Sequence, residues 1–305
     1  MKTVGRSTLA TSRAYVKSNC RELENELLVH CFEQENTGGV ISALSAFQNA
    51  DGGFGRGLEP DFFLPDSSPI ATSVALGVLA ELDVASDEPM VQKGVEYLLN
   101  TYDPEKRKWH TVPKEVNDYP HASWWHCEEG EGTVLDRSWG NPTAEIVGYL
   151  VKYRDLVPAD FLAPLHDYTM EYLRDHPDAM EMHELYCLLR FAERISPNAF
   201  RGIRDKLIVL VSNAVTTDPE RWKQYSAQPL DFATHPDSFL IPSLRDHIGV
   251  NLDYWIESMT PEGVWLPTWR WDDYEEDWPK AEKAWVGRIT VKRLKVLKSF
   301  DRVEV

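Results

Sequence analysis

One feature constrains the fold of this chain more than any other: it repeats a unit made of an apolar helical stretch, a turn ending on an aromatic residue, a longer loop, and a second helical stretch. The clearest copy begins with Val40–Phe47, turns through Gln48-Asn49-Ala50-Asp51-Gly52-Gly53-Phe54-Gly55, and resumes at Ile70–Leu82 after a loop that reaches Pro69. Asp-Gly-Gly supplies the positive φ angles that end a helix and reverse a chain. Small Ala and Ser residues in Ile70–Leu82 suit a helix packed tightly on all sides. A second copy runs from Val91–Leu99 through Asp103–Trp109 and a long loop to Asn141–Leu150. A later one runs from Val250 through Met259–Trp265 and a loop to Pro279, ending in Ala281–Leu297, and Asp218–Trp222 repeats the turn chemistry. Between them, Leu165–Leu173 and Ala179–Phe191 read as a helix pair.

The spacing of apolar residues predicts a long leading helix over Ala14–Phe32 and roughly ten to twelve helices in all, with no strand pattern. Helix pairs recurring at roughly 50 residues stack into an open solenoid or close into a ring. Within the first copy, Phe47-Gln48 followed by Asp51-Gly52-Gly53-Phe54-Gly55 resembles the QW-type turn of the terpenoid cyclase and protein prenyltransferase superfamily, typified by squalene-hopene cyclases. Lys93–Leu98 with Trp109, and Trp255–Ser258 with Gly263-Val264-Trp265, are similar to degenerate versions of it. The resemblance implies an all-α fold, an α/α toroid of helix-pair repeats filling residues 1–305 as a single domain around a central cavity.

Charge excludes several partners. Forty-nine acidic against 32 basic side chains give a net charge of −17, so phosphate backbones are repelled and nucleic acid is not expected. No apolar run approaches the ~20 residues of a membrane span, and the polar start of the chain lacks the apolar core of a secretory signal, which predicts a cytoplasmic location. Cys20, Cys31, Cys127 and Cys187 have no CxxC spacing. Placed on one helix, Cys20 and Cys31 would stand roughly 16 Å apart and be unable to pair, so free thiols are expected.

In a ring, the loops between outer and inner helices gather at one mouth, and four of them mix carboxylates with aromatic rings: 57–66, 117–141, 231–237 and 268–278. Six of the eleven tryptophans, Trp124, Trp125, Trp139, Trp269, Trp271 and Trp278, lie in two of these loops. Such a mouth suits a cation held by π faces, a sugar stacked on Trp, or an apolar chain with a polar end; alternatively, the rings fold over one another as a cap. Phe62, His121, Trp124, Trp125, Trp139, His235, Trp269 and Trp271 are the candidate ligand-binding residues. Glu59 or Asp61 facing Asp272 or Asp273 would make a catalytic pair.

Class II terpene cyclases place an Asp-x-Asp-Asp acid just before an inner helix. The similarly placed Pro65-Asp66-Ser67-Ser68-Pro69 keeps only the first Asp, so the proton donor of ordinary cyclisation is missing there; the acids of the 271–277 run, where mutual repulsion can raise one carboxyl pKa, are the alternative place for it, with Glu275 and Glu276 reading as a solvated charge run. Protein prenyltransferases bind zinc through Asp, Cys and His. His183-Glu184-Leu185-Tyr186-Cys187 is similar to their histidine segment, but the Asp-x-Cys partner is absent, leaving Cys127 with His121 and His126 as the substitute. No metal site or cofactor is therefore expected, with zinc or magnesium as the alternative. Phosphate-binding Gly-rich loops and Gly-x-Ser-x-Gly elbows are absent.

The sequence thus supports three functions. The first is an enzyme acting by carboxylate acid/base chemistry on an isoprenoid-like or other apolar substrate. The second is a carbohydrate-active hydrolase or lyase, and the third a non-catalytic binding toroid. The expected partner is a small molecule or glycan in the cavity; substrate, oligomeric state and any protein partner are beyond what the sequence specifies.

Overall fold

The computed structural model describes residues 1–305. It is all-α, with no β-strand and only isolated bridges. Thirteen α-helices follow in order: α1 (Arg6–Asn19), α2 (Glu22–Phe32), α3 (Thr37–Ser45), α4 (Pro69–Glu81), α5 (Pro89–Asn100), α6 (Gly140–Lys152), α7 (Ala159–Asp175), α8 (Met182–Ala192), α9 (Pro197–Arg201), α10 (Arg204–Ala214), α11 (Pro229–Phe232), α12 (Ile241–Glu257) and α13 (Trp278–Ser299). The surplus over the sequence expectation lies in short pieces: α9 has five residues and α11 four, too few for a 3.6-residue period to register. No helix is long and apolar enough to cross a membrane.

One expected element is corrected. The leading helix is two, because Cys20 and Arg21 are both extended (ψ −175° and 157°) and break the hydrogen-bond ladder between α1 and α2. Cys20 therefore caps α1 and does not share a helix with Cys31. The apolar period continues across the break through Val16, Leu23 and Leu28, which is why the sequence pattern does not mark it. Arg21 instead pairs with Glu24 one turn into α2, at 2.5 Å.

The chain forms two compact units. The first comprises residues 1–43, 214–270 and 275–305, the second residues 44–213 and 271–274. In the first unit α13 packs against α1 and α2, and α11 against α12. Gln228, 3% exposed, organises its interior: its side-chain oxygen accepts from Asn251 Nδ2 at 2.9 Å and from Trp255 Nε1 at 2.7 Å.

In the second unit α6 is the central helix. Every residue from Gly140 to Leu150 is buried, so α6 is enclosed on all sides and packs against α4, α7 and α8. Its contact with α8 is close enough that a Cβ on Gly148 would fall 2.8 Å from the Phe191 backbone, so only glycine fits there. Glu145, on the same helix and 4% exposed, accepts hydrogen bonds from Ser73 of α4 and Arg190 of α8, which joins three helices through one carboxylate. Helix α4 starts on Ser68, whose hydroxyl caps Ala71 N–H at 3.2 Å, with Pro69 at the first helical position.

The repeated turn has a repeated geometry. In the second unit the Trp109 indole donates to the Leu98 carbonyl of α5 at 2.7 Å, and Trp109 N–H donates to Thr143 Oγ1 of α6 at 3.2 Å. In the first unit the Trp265 indole donates to the Trp255 carbonyl of α12 at 2.8 Å, and Trp265 N–H to Thr290 Oγ1 of α13 at 3.4 Å. Phe54, which has no indole, keeps the second bond, from its N–H to Thr72 Oγ1 at 3.0 Å. There Gln48 supplies the other tie, its amide donating to Gly52 O at 2.9 Å and Met90 O at 3.2 Å. Each tryptophan thus plugs the end of one helix, and in all three turns the following long helix satisfies the backbone N–H of the aromatic, which would otherwise be stranded in the core.

Candidate functional site

The site belongs to the second unit and begins with the packing of its loops. Loop 57–66 and loop 111–139 pair through an antiparallel bridge between Phe62 and His121, with Phe63 N–H donating to Pro120 O and Ala122 N–H to Asp61 O, both at 2.9 Å. Residues 271–274 join them: Trp271 is 3% exposed, packs against Phe63 at 5.4 Å, and donates its indole N–H to Asp61 Oδ1 at 2.9 Å. On the other side of the bridge Phe62 meets the edge of Trp125 at 5.1 Å.

Two polar clamps hold the longer loop. Asn117 and Cys127 exchange hydrogen bonds in both directions, each 2.8 Å, which closes residues 117–127 into a compact loop. Further along, the Asp136 carboxylate accepts from Thr111 N (3.0 Å), Thr111 Oγ1 (2.8 Å), Thr133 N (2.9 Å) and Thr133 Oγ1 (2.9 Å). Burial by itself raises the Asp136 carboxyl, but the Thr133 and Thr111 hydrogen bonds outweigh it and leave the group below its ordinary 3.8. Asp136 is a loop staple.

Between these walls lies an open pocket of about 430 Å³ lined by Asn117, His121, Ser123, His126, Asp273 and Tyr274. The His121 and His126 rings stack with centroids 5.6 Å apart and planes 21° from parallel, and Tyr274 lies 5.5 Å from His121. Ser123 donates to Asp272 Oδ2 at 3.3 Å. Tyr274 has φ +56°, a left-handed conformation that costs a bulky L residue of the order of 1 kcal/mol, so backbone strain accompanies its placement over the imidazole.

The candidates from sequence distribute unevenly. Glu59 and Asp61 are 6% and 5% exposed, whereas Asp272 and Asp273 are exposed; all four belong to the second unit, and Asp273 lines the pocket. Phe62 (0%), Trp125 (5%) and Trp271 (3%) are buried, which fits the alternative in which the rings fold over one another: they form the packed wall that carries the loops. Trp124 is half-buried. Trp139, also half-buried, packs on Tyr168 and Tyr172 at 4.9 and 4.8 Å and donates to Arg107 O at 2.9 Å. His235 and Trp269 belong to the first unit, where His235 is exposed and Trp269 sits between Tyr225 and Trp285 at 5.2 and 4.9 Å.

Asn117, Ser123 and Tyr274 escaped the sequence reading as site residues, and His126 entered it only as part of the zinc alternative. The His121–His126 spacing is visible in the sequence, but nothing in a loop without periodicity signals that the two rings stack. No group of three or more His, Cys, Asp or Glu side chains is arranged to hold a metal ion. The Cys127 thiol is raised by burial and by the charges of Asp136, Glu115 and Glu128. Likewise His183 pairs with Glu181, the residue that caps α8, at 2.6 Å, and Cys187 is buried with its thiol pushed well up by desolvation. No protein-family model matches the chain, and no curated protein matches it in sequence.

Proposed function

We propose that the chain is an enzyme of the α/α-toroid type, similar to terpenoid cyclases and prenyltransferase β chains, that acts by acid/base chemistry in the pocket of its second unit. One observation carries the reading: loops 149 positions apart in the chain converge so that two imidazoles, the Asp273 carboxylate, the Tyr274 phenol and the Asn117 amide line one opening. Groups of this kind serve proton transfer when they share a pocket. The buried ring wall behind them holds the loops rigid, which is what positioning requires.

The six lining side chains favour a hydroxyl-bearing substrate, a sugar or an alcohol, whose oxygens are matched by donors and acceptors at the wall. The isoprenoid-like reading is supported by a different observation, the repeated aromatic turn at Phe54, Trp109 and Trp265, and under it the substrate presents a polar end to this pocket.

A thermal-shift panel of neutral and acidic oligosaccharides, isoprenoid alcohols, and isoprenoid diphosphates with magnesium tests the proposal, because a ligand at 100 times its Kd stabilises by ~2.7 kcal/mol. The expected result is a shift with one class in the wild type that Asp273→Asn diminishes. A shift that Asp273→Asn and His126→Gln both leave intact would place the ligand elsewhere.

A further inference from the structure

We propose that His121 and His126 form an ordered imidazole relay that leaves Nε2 of His126 as the base of the pocket, with His121 as its positioning residue. The inference rests on the acid/base reading of this pocket and names the group that does the work. It follows from donor and acceptor logic. His121 Nδ1 lies 2.6 Å from the Tyr119 carbonyl oxygen, and a carbonyl only accepts, so the proton of the neutral His121 ring is on Nδ1. Its Nε2 then carries a lone pair, and that atom faces His126 Nδ1 at 3.4 Å. His126 Nδ1 is therefore the donor, and the lone pair of the neutral His126 ring is on Nε2.

The fold fixes the first member of the relay. His121 is 5% exposed and held in place by its bridge to Phe62, the Ala122 N–H to Asp61 O bond, and the ring of Tyr274. His126 is exposed and its ring runs near-parallel to that of His121, centroids 5.6 Å apart, with Nδ1 turned toward His121 Nε2, so the buried ring orients the accessible one. Asn117 closes the loop that carries both through its exchange with Cys127. In the proton-transfer step the lone pair on His126 Nε2 forms an N–H bond as a hydroxyl O–H of the substrate breaks, and the bonding electron pair stays on oxygen. The resulting imidazolium keeps its Nδ1–H toward His121 Nε2 and shares the pocket with the Asp273 carboxylate. Returning the proton from Nε2 to that same oxygen re-forms the O–H bond and restores the neutral ring.

The test is long-range ¹H–¹⁵N spectroscopy of the intact protein labelled at histidine nitrogens, which reads the tautomer of each ring directly. The relay predicts His126 in the Nδ1–H tautomer, against the preference of a free histidine side chain for Nε2–H. His121→Phe keeps an aromatic ring but removes the acceptor and should return His126 to Nε2–H; His121→Gln restores an acceptor oxygen near the Nε2 position and should retain Nδ1–H. An Nε2–H tautomer on His126 in the wild type overturns the proposal, whether or not either variant folds. With the ligand found in the panel, His126→Gln should abolish turnover while the ligand still binds, and wild-type turnover in that variant would overturn the role of His126 as base. Silence of the whole panel would sink the acid/base reading while the tautomer result still decides the relay's geometry.

Discussion

The two units build the same turn and put different things beside it. In the first unit the indole and backbone bonds of Trp265 match those of Trp109 in the second to within a few tenths of an ångström. The surroundings differ. Arg293 lies over both Trp255 and Trp265, at 4.8 and 5.6 Å, and burial lowers its pKa to about 10, so it remains a cation in an aromatic setting at neutral pH. Trp109 packs instead against Tyr102 and Phe161, at 5.0 and 6.5 Å, and its loop continues through the Asp136 staple to the imidazole pair. The repeat is thus a scaffold that tolerates varied loops, and the chemistry proposed above is a property of the second unit's loops.

The sharpest way to break the equivalence of the turns is to delete their plugs. Trp109→Ala and Trp265→Ala each remove a side chain no more than 1% exposed, and each should cost about 3–5 kcal/mol in urea unfolding. A loss below about 1 kcal/mol in either would show that the two turns do not do the same work.

Asp136→Asn addresses what the second unit has and the first lacks. Its amide nitrogen would face donors, and the loss should be about 2–3 kcal/mol at neutral pH. The folded-state pKa of Asp136 is depressed, so its contribution is complete above the unfolded value near 3.8 and disappears as the pH falls through the lower folded value. Wild type and variant should therefore converge in stability well below pH 3.8, and a gap that stays constant on acidification would refute the network account.

Close helix contacts provide a further contrast. A Cβ at Gly148 meets the Phe191 backbone at 2.8 Å, whereas one at Gly287 meets the Cys20 and Glu24 side chains at 2.9 Å. The Cys20 Cβ and the Glu24 Cβ and Cγ lie too close to their own backbone to swing aside, so Gly148→Ala and Gly287→Ala should each cost about 1–3 kcal/mol although one clash is with backbone and the other with side chains. A melting temperature left unchanged in either variant would contradict this.

The smallest effect is expected from the hydrogen bond common to both turns. Thr143→Val and Thr290→Val each strand one indole-bearing residue's N–H and should cost about 1 kcal/mol apiece, with Thr143 the larger because its bond is shorter, 3.2 against 3.4 Å. Additivity in the double variant would confirm that the sites are independent.

Much of the helical scaffold was legible in the sequence because its signals are local. Ser68-Pro69 announces the start of α4, Asp51-Gly52-Gly53 announces a turn, and the apolar periods locate α5, α6, α8 and α13 to within a few residues. The break at Cys20-Arg21 was not legible, since the apolar period does not change there and no Gly or Pro marks it. The site was legible only as composition. Loops 57–66, 117–141 and 268–278 stood out for their acids and rings, and the second unit does bring Asp61 and Trp271 together. Which rings are wall and which groups are pocket depends on the Phe62–His121 bridge and the Asn117–Cys127 exchange, contacts that carry no periodic signal.

Calorimetric titration of the ligand class selected by the thermal-shift panel tests the central claim most directly, with His126→Gln in the second unit compared against Trp269→Ala in the first. The account predicts that Asp273→Asn lowers affinity by tenfold or more, a change of about 1.4 kcal/mol, that His126→Gln removes turnover, and that Trp269→Ala alters neither. Binding that Trp269→Ala destroys and Asp273→Asn leaves untouched would contradict the account and move the site to the first unit.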